Sequence, residues 1–147
     1  MRFGKGRAAV ALMAFATAAN AEFSGSVSLV SDYMWRGITQ TSGKPALQGS
    51  VDWAGDSGLY AGAWGSNIDW GDCCDENLEV DLYAGFAGGD TVAWDIGYNY
   101  YWFPGADDAG DFGEFYGSLG YEDWVTGTVW YANDYADTGL EAFYFEG

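Results

Sequence analysis

Asp32 and Arg36 stand four residues apart in a stretch that alternates polar and apolar side chains, so a strand there would point both to one face. The same alternation places Asp52, Glu79 and Asp81 on polar faces of later segments. Two chemistries fit such a set. Carboxylates ringing a water-filled path select cations, and these five residues are the candidate constriction. An arginine enclosed among acids instead braces the strands that carry it, because a sequestered charge is costly unless paired.

A second cluster, Asp69, Asp72, Cys73, Cys74, Asp75 and Glu76, falls in one polar loop. Carboxylates at this density suggest Ca²⁺, but their spacing matches no calcium-loop motif, and charge runs are commonly just solvated. Adjacent cysteines in an oxidising compartment form a strained disulfide, Cys73–Cys74, or pair between chains. The chain has no His, which excludes imidazole bases, Ser-His nucleophiles and His-ligated zinc. Neither the calcium spacing nor a zinc ligand set is met, so no metal and no cofactor is expected. A glycosidase needs only two carboxylates, yet among 22 acids no pair stands out, and no catalytic residues are assigned. The 8 Trp, 11 Tyr and 9 Phe would suit sugar platforms, but the outward skin of a barrel in lipid accounts for most of them at once and is the preferred reading.

The elements that must position these residues begin after a leader. Arg2, Lys5 and Arg7 precede an apolar run from Ala8 to Ala18, and Ala19-Asn20-Ala21 is a small-x-small cleavage site. That is the three-part plan of a secretory signal peptide over residues 1–21, and the run is shorter than the ~20 residues a membrane span needs. Cleavage leaves Arg36 and Lys44 against all 22 acids, a formal charge of −20. Such a chain is a poor partner for nucleic acid, which requires clustered Lys and Arg.

Residues 22–147 alternate with a period of two. Phe23, Val27, Leu29, Tyr33 and Trp35 share one parity, while Ser24, Ser26, Ser28, Asp32 and Arg36 share the other. The pattern recurs at Leu78, Val80, Leu82, Ala84 and Phe86, at Val92 through Trp102, and at Phe115, Leu119 and Tyr121. Period two is β structure. Eight strands are predicted near 23–36, 45–54, 58–68, 77–87, 91–103, 113–123, 126–133 and 139–146. In the third, either Leu59-Ala61-Ala63 or Tyr60-Trp64-Ile68 takes the apolar side. Connections alternate between tight turns (55–57, 88–90, 124–125) and longer polar loops (37–44, 69–76, 104–112, 134–138). Alternating loop lengths, strands of ~9–11 residues and aromatics near strand ends (Tyr33/Trp35, Tyr100/Trp102/Phe103) are the marks of an up-and-down outer-membrane barrel. A secreted β-sandwich shares the periodicity but has no reason for alternating loops or terminal aromatics.

Ser31-Asp32-Tyr33, Arg36-Gly37, Gln40-Thr41 and Pro45-Ala46-x-Gln48-Gly49 resemble the opening of the TorF family of porins, exported Gram-negative proteins assigned as porins largely by shape. The resemblance continues through Asp52, Gly58-x-Tyr60-x-Gly62-x-Trp64-x-Ser66-Asn67 and Glu79-x-Asp81-x-Tyr83-x-Gly85, covering residues 22–103. It implies an all-β, antiparallel transmembrane barrel of the outer membrane, with outer-membrane lipid and small hydrophilic solutes or cations as partners and no catalytic residues. The Cys73-Cys74 pair is outside that pattern. Members are longer, so the expectation is a C-terminally truncated barrel: an open sheet whose first strand has an exposed outer edge. A complete eight-stranded barrel, its interior just wide enough for side chains, is the alternative. The functional expectation is passive, cation-preferring diffusion; the alternatives are a structural barrel with a filled lumen, or a secreted β-domain binding glycan or calcium. Val27, Leu29, Val80, Leu82, Trp94 and Ile96 should face outward, and Asp32, Glu79, Asp81 and Asp95 inward.

Overall fold

A computed structural model describes residues 10–18, 21–73, 76–105, 110–122 and 124–147. Its strands are β1 (Val10–Ala18), β2 (Ala21–Val30), β3 (Met34–Trp35), β4 (Ile38–Thr39), β5 (Ala46–Gly55), β6 (Leu59–Asn67), β7 (Leu78–Gly88), β8 (Val92–Trp102), β9 (Phe112–Tyr121), β10 (Val125–Ala132) and β11 (Ala142–Glu146). Apart from the β3–β4 hairpin, every strand pairs antiparallel with its neighbours in sequence, in the order β1-β2-β5-β6-β7-β8-β9-β10-β11. The fold is therefore an all-β, up-and-down meander. Tight turns of three residues join β5 to β6, β7 to β8 and β9 to β10 at one end. The longer connections gather at the other.

Register settles the two faces. Ser50 pairs with Trp64, Trp64 with Asp81, Asp81 with Tyr101 and Tyr101 with Phe112. The next layer runs Asp52, Gly62, Tyr83, Asn99 and Glu114. These residues occupy the concave face. The convex face carries Val27, Leu29, Val51, Leu82, Ile96 and Leu119, all large, apolar and exposed. In β6 the ambiguity resolves in favour of Leu59, Ala61 and Ala63 outward, because they pair with Phe86, Ala84 and Leu82.

Four expectations are corrected. The first long strand stops at Val30 rather than 36: the chain bends at Ser31–Tyr33 and forms the β3–β4 hairpin. Arg36 and Gly37 form its two-residue turn with φ of 47° and 82°, both left-handed as a type I′ hairpin demands. The bend breaks the parity, so Tyr33 and Trp35 leave the apolar face and pack inside the loop end. Phe103, read as part of an outer girdle, is buried in the same cluster. The last strand starts at Ala142 rather than 139, because Ala136, Asp137 and Gly139 take left-handed φ of 52°, 54° and 71° and turn the chain before it.

The sheet is not closed: among the described strands β11 pairs only with β10. The outer edge of β2 is not bare, however. β1, lying inside residues 1–21, occupies it from Val10↔Leu29 to Ala18↔Ala21.

Glycines opposite tyrosines let the concave face curl tightly. A Cβ on Gly62 would stand 2.6 Å from the Tyr83 ring, and the Tyr60 ring lies against Gly85 in the same way. Gly62→Ala is expected to lose about 1–3 kcal/mol in an unfolding titration, the usual penalty for overpacking. An unchanged midpoint would mean the ring is free to move aside.

Candidate functional site

The loop end of the concave face is roofed by side chains that the β3–β4 hairpin delivers. Turn geometry throws Arg36 inward, where Nη1 donates to Glu114 Oε1 at 2.9 Å and Nη2 to Oε2 at 2.6 Å. Glu114 also accepts from Tyr101 Oη at 2.9 Å and is 1% exposed. The guanidinium carbon lies 4.3 Å from the ring centres of both Trp35 and Tyr144 and 5.6 Å from that of Trp130. A buried carboxylate with three donors and an arginine held by a fork and by π faces is a satisfied pair.

Tyr33 reaches Glu79, its hydroxyl donating to Oε1 at 3.1 Å. Burial, and then the Glu79 carboxylate, push the Tyr33 phenol above its ordinary value, so it remains a donor at any physiological pH. Glu79 itself is 3% exposed. Two residues on, Asp81 accepts from Asn99 Nδ2 at 3.2 Å, while its other oxygen, Oδ1, is buried with no partner.

Deeper along the concave face, Tyr83 donates to Asp52, which also accepts from Ser50 at 2.7 Å. Tyr60 donates to Asp95 at 2.7 Å, and its hydroxyl contacts that of Tyr116 on β9, three strands away. A cleft of about 470 Å³ runs between these groups, with Asp81 and Asp95 in its wall and Trp35, Trp64 and Trp130 around it.

Of the five constriction candidates, Arg36, Asp52, Glu79 and Asp81 share the concave side. Asp32 does not join them. It lies beyond the end of β2, where its carboxylate accepts from Thr39 at 2.6 Å and Thr41 at 3.0 Å and organises the hairpin loop. The expected placement of Asp32 and Arg36 on one inward face fails because the bend at 31–33 separates them. Glu114, the residue that does pair with Arg36, is a polar-parity acid on β9. Nothing local in the sequence marks it as the partner.

In the acidic loop, Asp69 pairs with Lys44 and accepts from the Gly71 N–H at 2.9 Å. Those two donors hold its carboxyl below the ordinary range. A depressed carboxyl contributes stability above its unfolded pKa and loses it as pH falls through the folded one. The pair is exposed, so its contribution is small. The Cys73–Cys74 pairing lies outside the described residues.

The sequence model of a bacterial family of unknown function, Gcw_chp, matches residues 14–146. No curated protein and no solved structure matches the chain.

Proposed function

The chain belongs to the Gcw_chp family of bacterial proteins of unknown function, and from the way its sheet partitions we propose that it is an exported outer-membrane β-barrel conducting small hydrophilic solutes with a preference for cations. The observation that carries this is the inversion of faces. Large apolar residues cover the convex side, while Asp52, Glu79, Asp81, Asp95 and Glu114 line the concave side with Arg36 as the single cation among them. A water-soluble sheet packs its apolar face against something; an outer-membrane barrel turns that face to lipid. No helix among the described residues is long and apolar enough to cross a membrane. Strands β2 and β5 to β9 have 9–11 residues, the length a tilted strand needs. Convex-face Tyr100 and Trp102 stand at the loop end, and Tyr121 and Trp124 at the turn end, as two interfacial girdles would.

In lipid, an edge of unpaired backbone groups is untenable. Release of residues 1–21 with the leader would bare the β2 edge that β1 occupies, and that edge would then need a partner strand. No residue acts catalytically in this reading.

Reconstitution in a planar bilayer tests it. The pore is expected to pass cations over anions, and the preference should weaken from 0.1 M to 1 M salt as the Debye length falls from ~10 Å to ~3 Å. Asp81→Asn should reduce the preference, because Asp81 lines the cleft. Anion selectivity would overturn the proposal. The second reading is a structural barrel, favoured by the Tyr60–Tyr116 contact across the concave face and by the Arg36–Glu114 roof. Folded protein that inserts into bilayers without conductance would establish it instead.

A further inference from the structure

Beside the Arg36 roof, the loop end holds a separate cavity of about 290 Å³. Six rings line it: Trp35, Trp70, Tyr101, Phe103, Phe112 and Tyr135. The rings brace one another. Tyr101 stacks on Phe112 at 4.5 Å, Trp70 packs on Phe103 at 5.1 Å, and Trp35 lies parallel to Tyr135 at 6.4 Å. Trp70 is further fixed by its Nε1–H, which donates to Gln40 Oε1 at 3.0 Å. The chief ionisable group in this apolar wall is Glu79, buried and held by Tyr33.

We infer that this cavity binds a small organic cation, an alkylammonium with an apolar body, against the aromatic walls and the Glu79 carboxylate. Three observations carry it. The first is a charge count. Among the described residues the bases are Arg36 and Lys44. Arg36 is committed to Glu114, and Lys44 to Asp69. Glu79, the acid in the cavity wall, therefore has no cation of its own among the described residues, and Asp81, two residues on along the same face of β7, lines the neighbouring cleft. Buried carboxylates require a counter-charge or a proton. The second is the wall chemistry. Aromatic faces attract cations, more strongly when water is excluded, and Trp35 already serves Arg36 in this way at 4.3 Å. The third is size. At 290 Å³ the cavity is at the small end of ligand sites, suited to a compact ion and not to an extended one.

The site is independent of conduction, since binding needs only the folded loop end. The full chain in detergent micelles can be titrated with choline while tryptophan fluorescence is followed. The neutral isostere 3,3-dimethylbutan-1-ol serves as the control of equal shape. Choline is expected to give a saturable change, with the isostere binding at least about tenfold more weakly, the size of a desolvated cation–π and ion-pair contribution. Glu79→Gln should weaken choline by a similar factor and leave the isostere unaffected. Should Glu79→Gln fail to fold, Trp70→Leu at the cavity wall provides the second variant, again with choline weakened more than the isostere. Equal binding of choline and isostere, no saturable choline response, or full competition by equimolar K⁺ would each overturn the inference. If choline binds while bilayers stay silent, the channel proposal fails and the cavity stands. If bilayers conduct while choline does not bind, the cavity proposal fails and the channel stands.

Discussion

Replacing Arg36 with Gln is expected to destabilise the folded chain by about 3–5 kcal/mol, the range for removing one partner of a buried ion pair. The side chains of Arg36 and Glu114 are only 14% and 2% exposed, so water cannot take the place of the missing guanidinium. Glu114 would keep one donor, Tyr101, where it now has three. The rings of Trp35, Tyr144 and Trp130 would lose their cation at the same time. Arg36 also holds a left-handed φ of 47°, a conformation that costs about 1–2 kcal/mol for a residue with a Cβ. The ion pair is what offsets that strain. The two charges should also prove strongly coupled. Glu114→Gln alone should be similarly damaging, whereas the double variant R36Q/E114Q should lose much less than the sum, since two neutral amides leave no stranded charge. Urea unfolding in micelles, followed by tryptophan fluorescence, measures all three. Single variants within about 0.5 kcal/mol of the parent would mean that the pair braces nothing.

Placing Arg at position 96 should separate a lipid-facing sheet from a water-facing one. Ile96 lies mid-strand in β8 on the convex face and is 57% exposed. On the lipid face at the bilayer midplane an arginine costs about 2–4 kcal/mol, falling to about 0–1 near the interfaces. Trp124, 84% exposed at the turn end, supplies the interfacial comparison. Ile96→Arg is therefore expected to shift folding in vesicles by about 2–4 kcal/mol and Trp124→Arg by at most about 1. In a soluble protein both positions are open surface, and both changes would fall within about ±0.5 kcal/mol. That flat outcome would defeat the membrane reading, and with it the channel, without touching the Arg36–Glu114 pair.

Much of the sheet is legible in the residues themselves. Leu82 and Ile96 outward, Glu79 and Asp81 inward, the short turns near 55–57 and 88–90, and the long loops at the opposite end all follow from alternation and punctuation. Both signals are local: successive side chains on a pleated strand point to opposite faces, and turn residues act within four positions. Strand ends are less legible. The stretch 31–36 continues the alternation of β2, and only the folded loop end makes the bend preferable. There the Thr41 hydroxyl accepts from the Tyr33 N–H and donates to Asp32. Once the chain bends, parity is lost, and Tyr33 and Trp35 exchange the outer face for the inner cluster.

The pairing of the charged groups is not written locally at all. Asp52, Glu79, Asp81, Asp95 and Glu114 have the same parity on neighbouring strands, so as letters they are equivalent partners for Arg36. Glu114 is chosen because the hairpin crosses the open end of the curled sheet, spanning 78 residues of sequence, and delivers the guanidinium beside β9. The sequence by itself determined strands, faces and an excess of inward acids, because those depend on the pleat. Only the tertiary structure decided which acid meets the arginine, which are left without a cation, and which rings wall the cavity at the loop end, because those depend on where distant segments meet.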